Sequence, residues 1–388
     1  MKIRNIKRLS ILAGIILSIG SLTACGSAGT SYAADNAKES SIEESNKEQS
    51  NKEENNTEQS DTDNNVSSGY VVKEVNIGFV DGTGSGILSD TLGVARDKGF
   101  IEEEFKDLDV KVNFIPMAGA GPAINEALAS GDLDIAEYGD VPLVNGQANG
   151  IDTRLITFAG LDNAGSLVSA PGTDYKSAAD LKGKTIATQR GAFMHRVLTN
   201  ILEAEGLTIN DIEFVNATMQ DSVVMLETGN VDAVIASNAN LSKLVSEGYN
   251  VVVDVVNEHP EFIASSGTAA RRTFIEENPA IIRAYVRALI RAAKYEYDNP
   301  EIQIEQFKTS GESEEAFEYL FPDHKHFYSV APAEGEVENF KDTLKFLIDN
   351  ELLTADKEFN VDDWIDSSFY EEAFEELGDE YRVIYTDR

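Results

Sequence analysis

From Val71 to the C-terminus, short apolar segments typical of buried strands alternate with amphipathic segments typical of helices. A strand followed by a helix, repeated along a chain, indicates an α/β fold in which helices cover both faces of a parallel sheet. We therefore expect an α/β protein built on parallel sheets. The expected strands are 75–80, 110–115, 133–136, 185–188, 212–215, 233–236 and 251–256.

The folded region is about 320 residues long, which is more than one hydrophobic core usually serves. Its two sets of strand segments predict two Rossmann-like lobes joined by a hinge. We expect the chain to cross between the lobes near Asp162–Gly165 and again near Phe262–Ser266, so that the first lobe is discontinuous. The nearly all-helical segment after Asn278 should pack on the first lobe. The expected boundaries are 70–163 plus 265–388 for the first lobe and 164–264 for the second.

The N-terminus has the features of an export signal that ends at the only cysteine of the chain, Cys25. Basic residues precede an apolar stretch, 11–22, which is shorter than the roughly 20 residues that a membrane-spanning helix needs. The run Leu-Thr-Ala-Cys is similar to a bacterial lipobox, in which the cysteine receives a lipid. We expect 1–24 to be a lipoprotein signal peptide and Cys25 to carry a lipid anchor. An ordinary signal peptide with an incidental cysteine is the alternative.

Composition excludes several classes of partner. Residues 25–69 are polar and acidic with few large apolar side chains, so we expect a disordered linker behind the anchor. The formal net charge of -36 disfavours binding to nucleic acid. One cysteine cannot form a disulfide framework, and no Cys/His set has the spacing of a zinc site. We expect neither a metal nor a cofactor.

Loops that lead from a strand into a helix are the best candidates for a ligand site, because ligands of open α/β sheets bind at the carboxyl ends of strands. Backbone amides and the helix dipole at such corners suit an anion. Arg190 would add a charge-assisted hydrogen bond, and Phe193 would offer a ring for stacking. The candidate ligand-binding residues are Gly82, Thr83, Gly84, Ser85, Gly119, Ala120, Gly121, Gly139, Asp140, Val141, Asp162, Asn163, Arg190, Gly191, Ala192, Phe193, Met194, Ser237 and Asn238.

Some of these positions have a structural alternative. The segment Gly82–Gly86 contains only part of a dinucleotide-binding pattern and is also typical of a plain turn. Asp140 is a residue type that commonly caps helix N-termini. His195 has no partner motif and is also typical of a first-turn helix residue at a lobe surface.

Spaced motifs over about residues 73–300 resemble the alkanesulfonate-binding members of the sulfonate/nitrate/taurine solute-binding family. They include Ala120-Gly121-Pro122, Gly139-Asp140, Asp180–Lys184, Gly191 with His195, and Arg272-Thr273-Phe274. The resemblance implies the periplasmic-binding-protein type II fold, with a small anionic organic molecule bound between the lobes. It also implies delivery of that molecule to an ABC permease driven by its ATPase, outside the cytoplasm.

The sequence departs from that family pattern in two places. Ala192, Phe193 and Met194 stand at a helix start where small hydroxyl residues are usual in sulfonate binders. The segment 236–240 replaces a strand end that is commonly rich in tryptophan. Both departures favour a bulkier or partly aromatic ligand, such as a pyrimidine-type vitamin precursor, as the alternative to a simple alkanesulfonate.

The same two-lobed architecture occurs in enzymes, so the fold alone does not decide the function. The chain has no G-x-S-x-G or H-E-x-x-H motif, and it contains only 4 histidines. We therefore expect a monomeric, lipid-anchored transport binder and no enzyme. A sensor or adhesin ectodomain is the further alternative.

Overall fold

The computed structural model describes residues 72–383 except 82–84, 119, 310–312, 315–316, 319–320, 322–328 and 355–357. The described residues belong to one compact unit, Ser68–Arg388. The predicted signal peptide 1–24, Cys25 and the linker 25–69 lie outside the described residues. No helix within the described residues is long and apolar enough to cross a membrane.

Ten strands are found in the described chain, and their sequences explain their burial. In the first strand, Val75, Ile77 and Phe79 alternate with other residues and are buried. The strands in chain order are β1 (Glu74–Val80), β2 (Lys111–Met117), β3 (Ile135–Gly139), β4 (Thr153–Asn163), β5 (Gly165–Ser169), β6 (Thr185–Thr188), β7 (Glu213–Asn216), β8 (Ala233–Ser237), β9 (Asn250–Val253) and β10 (Ala264–Arg271).

These strands form two five-stranded sheets, with the orders β2-β1-β3-β10-β4 and β7-β6-β8-β5-β9. The predicted α/β class with two lobes and a discontinuous first lobe is confirmed, because β10 returns to the sheet of β1–β4 after the second sheet is complete. The prediction of purely parallel sheets is wrong. β10 runs antiparallel to β3 and β4, and β5 runs antiparallel to β8 and β9. One chain crossing leaves along β4 and the other returns along β10, so these neighbours must run in opposite directions.

Helices cover the sheets, and the longest follows the predicted pattern. In α10, Pro279 occupies the first turn and Ile282, Val286 and Leu289 are buried on one face. The described helices are α1 (Asp90–Asp97), α2 (Phe100–Phe105), α3 (Ala120–Ser130), α4 (Asp140–Ala148), α5 (Phe193–Ala204), α6 (Met219–Glu227), α7 (Asn238–Ser246), α8 (Val255–Glu258), α9 (Arg272–Glu277), α10 (Pro279–Asp298), α11 (Glu301–Thr309), α12 (Glu336–Asp349), α13 (Val361–Trp364) and α14 (Ser368–Leu377). Short 3₁₀ helices cover Ala178–Leu181, Ile209–Asp211, Pro260–Phe262 and Asp379–Tyr381.

The C-terminal helices complete the core of the first lobe. Leu289 of α10, Phe340 of α12, Trp364 of α13 and Phe374 of α14 belong to the same buried cluster as Ile77 of β1. The second sheet has its own apolar clusters on its two sides. The expected packing of the extra helices on the first lobe is therefore confirmed.

The two crossings between the sheets lie side by side. Asn163 at the end of β4 pairs with Ala264 at the start of β10. Glu336, the first residue of α12, is fully buried beside them. Its carboxylate accepts hydrogen bonds from the Gly160 amide at 2.9 Å and the Ser265 hydroxyl at 2.6 Å. Burial raises the pKa of Glu336 to about 7. One carboxyl group thus joins both crossing strands to the C-terminal helices.

Candidate functional site

A cavity of about 460 Å³ lies where the strand ends of the two sheets face each other. The first lobe contributes the ends of β1 and β3 and the starts of α1 and α3, and the second contributes the starts of α5 and α6 and the end of β8. Parts of α10 and α11 close it on one side. Its size lies within the range of about 300–1,000 Å³ for small-molecule sites.

The structure brings together more than half of the sequence-predicted residues at this cavity. Gly82, Thr83, Gly84 and Gly119 lie outside the described residues, as do the side chains of Asp162 and Asn238. Asp140, Val141 and Arg190 are not among the described lining residues. The predicted residues that line the cavity are Ser85, Ala120, Gly121, Gly139, Asn163, Gly191, Ala192, Phe193, Met194 and Ser237.

The start of α5 forms the second-lobe wall. Its N-cap, Ala192, gives no side-chain capping bond, so the first-turn amides of Phe193 and Met194 rely on other acceptors. The Gly191 amide was expected to be available to a ligand. It donates instead to Nδ1 of His195 at 3.4 Å, and the Ala192 amide donates to the Gln189 carbonyl at 3.3 Å. At this corner, the backbone amides of Phe193 and Met194 are therefore the donors that could bind an anion.

His195 is a buried residue and not a surface residue of the lobe. Only 1% of it is exposed, and its ring packs 5.2 Å from the ring centroids of Phe214 and Phe346. Burial, with a smaller contribution from the charge of Arg190, lowers the pKa of His195 to about 4. The ring is therefore neutral at physiological pH, and accepting the Gly191 amide fixes the turn before α5.

Arg190 does not have the predicted role of an anion ligand, because its side chain contacts Phe214 and does not line the cavity. Its guanidinium lies 4.5 Å from the ring centroid of Phe214, in a cation–π contact at the exposed side of the turn. Its backbone amide donates to Oδ1 of Asn216 at 2.8 Å. The side chain is held by the second lobe and does not line the cavity.

Asp140 and Val141 are core residues of the first lobe. Neither is exposed, and Oδ2 of Asp140 lies 2.9 Å from Nη2 of Arg196. The same oxygen accepts a hydrogen bond from the Thr343 hydroxyl at 2.7 Å. Asp140 is also not the N-cap of α4, which is Gly139. Its carboxylate therefore holds an arginine of the other lobe and does not face a ligand.

Arg196 was missed by the sequence analysis, although it interrupts the apolar face of α5. It belongs to the second lobe and is 2% exposed, yet its two partners, Asp140 and Asn339, belong to the first. The distance from Nη2 to Oδ1 of Asn339 is 3.1 Å. Arg196 thus forms a buried polar bridge between the lobes beneath the cavity wall.

Four carboxyl-bearing residues of the first lobe line the cavity and were also missed. One of them, Asp81, accepts hydrogen bonds from the amides of Ser85 and Gly86. Of the other three, Asp90 begins α1, Glu137 lies in β3 and Glu296 lies in α10. We call these three the carboxylate cluster. Burial, and then the charge of Asp90, raises the pKa of Glu137 to about 8. Burial likewise raises the pKa of Glu296 to about 8, against a hydrogen bond from Thr91. A charged residue in the apolar strand 135–139 was the one sequence signal for this cluster.

Aromatic side chains line another part of the cavity. The ring centroid of Phe317 lies 5.5 Å from that of Phe307 and 5.2 Å from that of Phe321. Phe307 and Phe321 also pack against an apolar cluster of the second lobe. Among the described residues, no group of three or more His, Cys, Asp or Glu side chains is placed to hold a metal ion.

Residues 91–302 match the sequence model of a family described as NMT1/THI5 like, over more than half of the chain. The chain belongs to the NMT1/THI5-like family. The resemblance to sulfonate-binding proteins is also confirmed, because relatives of this chain carry such names. A protein of Bacillus subtilis (strain 168), named as an aliphatic sulfonates-binding protein, is 25% identical over 309 residues, covering 79% of this chain and 89% of its own.

Two proteins of Escherichia coli that are also named as binding proteins are similar to this NMT1/THI5-like chain. The taurine-binding periplasmic protein of strain K12 is 25% identical over 194 residues, which are 48% of this chain and 58% of its own length. The crystal structure of the periplasmic aliphatic sulphonate binding protein SsuA superposes with a TM-score of 0.62. It is 24% identical and covers 76% of this chain and 92% of SsuA, so it supports the fold.

Proposed function

We propose that this protein is the solute-binding subunit of an ABC importer and captures a small sulfonate-like anion between its lobes. The observation that carries the proposal is the cavity, to which both lobes contribute strand ends and helix starts. The names of the relatives support a binding protein over an enzyme. The protein would then release its solute to the permease without changing it.

The proposed position of the anion is the second-lobe wall of the cavity. The amides of Phe193 and Met194 are at the positive end of the helix dipole of α5. Ser237 on the same side adds a hydroxyl, which donates a hydrogen bond to the Met219 sulfur at 3.3 Å. Asn163 closes the site from the crossing strand, where its amide donates to the Ser266 hydroxyl at 2.5 Å. Asp140, Val141 and Arg190 are left out of this site because of their partners described above.

The proposed setting is the outer face of a bacterial cell membrane. There a lipid on Cys25 would hold the protein, and residues 25–69 would give it reach toward the permease and its ATPase. The proposed binding unit is a monomer whose lobes follow the boundaries 70–163 with 265–388, and 164–264. The support for the anchor is the sequence around Cys25 alone.

Calorimetry on protein that lacks residues 1–25 tests the proposal. Methanesulfonate, ethanesulfonate and taurine form the panel, and mass spectrometry of the recovered solute checks that it is unchanged. Phe193→Ser should strengthen binding of methanesulfonate, because a hydroxyl replaces a ring beside the anion site. Val224→Ser, at a position 54% exposed on α6, is the matched control and should change nothing. If no sulfonate binds to the wild-type protein, the proposed solute class is wrong; if the solute is recovered altered, the protein is an enzyme.

A further inference from the structure

The carboxylate cluster and the proposed anion site are at different walls of one cavity. Asp90, Glu137 and Glu296 come from the first lobe, whereas Phe193 and Met194 come from the second. The three carboxyl groups act on one another, since the charge of Asp90 raises the pKa of both glutamates and that of Glu137 contributes at Glu296. An anionic group placed at this end of the cavity would be repelled by the charge of Asp90 and by either glutamate once it ionises. The first-lobe end of the cavity is therefore unsuited to the anionic group of a solute.

Glu137 and Glu296 face no cationic side chain among the described residues that line the cavity. Among the described lining residues there is no lysine, arginine or histidine. The hydroxyl of Thr91 donates to Oε2 of Glu296 at 2.8 Å, which is a neutral partner. Buried carboxyl groups normally have a cationic partner or bind a cation, because leaving them alone costs desolvation energy. Within the described part of the chain, Glu137 and Glu296 thus have no cationic partner at the cavity.

Gln303 gives an independent sign that this region receives a polar ligand. Its side chain lines the cavity and is only 5% exposed. Neither its Oε1 nor its Nε2 has a hydrogen-bond partner among the described residues, and the same holds for Oε1 of Gln306, which also lines the cavity. Buried amides are rarely left in this state. Gln303 therefore offers an acceptor and a donor to a group that enters from the cavity.

We propose that the first-lobe end of the cavity binds a protonated nitrogen of the solute, between Glu137 and Glu296 and within reach of Gln303. The solute is then a small organic molecule with a cationic nitrogen. The placement of its anionic group at Phe193 and Met194 rests on the proposed function. An aminoalkanesulfonate and a protonated aminopyrimidine share this chemistry. A positive charge at this place would favour the ionised forms of both glutamates, which burial alone disfavours.

Matched probes separate the nitrogen from the rest of the solute. Taurine and isethionate are both two-carbon sulfonates, but taurine carries an ammonium group where isethionate carries a hydroxyl group. In the second pair, 4-methylpyrimidine has a methyl group in place of the amino group of 4-aminopyrimidine. Calorimetry at pH 7.5 on full-length protein, solubilised in detergent, gives the affinity of each. Within the pair of probes that binds, we expect the nitrogen-bearing molecule to have an affinity roughly tenfold to a hundredfold higher than its partner. This is the gain expected from a charge-assisted hydrogen bond.

Two variants show whether the cluster is responsible. Glu296→Gln keeps the shape of the side chain and should remove most of that preference, and Glu137→Gln should reduce it independently. Glu305→Gln is the matched control, because Glu305 lies exposed on α11 and its change alters the net charge equally. A single cooperative thermal unfolding transition of each variant shows that it is folded.

The outcomes distinguish this proposal from the proposed function. Tighter binding of taurine than of isethionate, lost in Glu296→Gln and kept in Glu305→Gln, supports both. Equal binding of the two sulfonates leaves the proposed function standing and overturns the role of the cluster. If neither sulfonate binds but 4-aminopyrimidine binds in a Glu296-dependent way, the cationic site stands and the sulfonate assignment fails. If neither nitrogen-bearing probe exceeds its neutral partner, the cluster does not recognise a cation.

Discussion

Removal of the Arg196 guanidinium should destabilise the protein more than any other single arginine change discussed above. In the variant Arg196→Ala, the carboxylate of Asp140 stays in a site without solvent exposure but loses the cation 2.9 Å away. The Thr343 hydroxyl and the Val141 amide still donate to it. Two neutral donors do not replace a buried positive charge, so the carboxylate is left uncompensated.

The expected loss is about 3–5 kcal/mol of unfolding free energy, the usual range when one partner of a buried ion pair is removed. The lost hydrogen bond to Asn339 is included in this figure and accounts for about 1 kcal/mol of it. The double variant Asp140→Asn/Arg196→Met removes both charges and keeps similar side-chain volumes. It should therefore recover about 2 kcal/mol or more, which appears as a coupling energy in the double-mutant cycle.

Urea unfolding followed by far-ultraviolet circular dichroism measures these values, provided that the slope with denaturant stays constant. Arg190→Ala is the control, because its exposed cation–π contact with Phe214 should be worth less than about 1 kcal/mol. A loss below about 1 kcal/mol in Arg196→Ala would refute the reasoning. So would a double variant that is as unstable as the sum of its single changes.

Three further predictions use other parts of the structure. The free energy of unfolding should fall as pH rises from about 5 to 8. The pKa values of Glu137, Glu296 and Glu336 are raised, so the native state keeps protons that the unfolded chain has already released. Melting temperatures measured at about pH 5 and pH 8 check this. Gly121→Ala should cost about 1–3 kcal/mol in urea unfolding, because the added Cβ would lie 2.3 Å from Pro142. Cys25→Ser should appear in the soluble fraction, and membrane association that resists a high-salt wash would contradict the lipid anchor.

Strands with strong local apolar patterns could be predicted from the sequence. The strand expected at 185–188 has those bounds in the structure, and 75–80 differs by one residue at its start. β4, β5 and β10 were not assigned, although the crossings near them were expected. The sequence of β10 is mostly alanine, serine and glycine, and it has no apolar alternation. It is a strand because β3 and β4 supply hydrogen bonds on both sides.

The site was predictable where it depends on local turn chemistry. Glycine corners such as Gly121 and Gly139 mark strand-to-helix turns in the sequence itself, and both line the cavity. The carboxylate cluster depends on residues that are distant in the chain; Thr91 and Glu296, which hydrogen-bond beside it, are 205 positions apart. The burial of Asp140 and His195 depends on partners from other elements in the same way. No local pattern contains that information.

The face of α12 that carries Glu336, Asn339 and Thr343 has a mechanical consequence. These residues are three and four positions apart and therefore lie along one side of the helix. Glu336 holds the two crossing strands, Asn339 holds Arg196, and Thr343 holds Asp140. A rotation of the second lobe would pull on this helix at its first turn through the strands and at its second through Arg196. Helix α12 is thus coupled at two points to the angle between the lobes, and we expect it to shift as a rigid body when that angle changes.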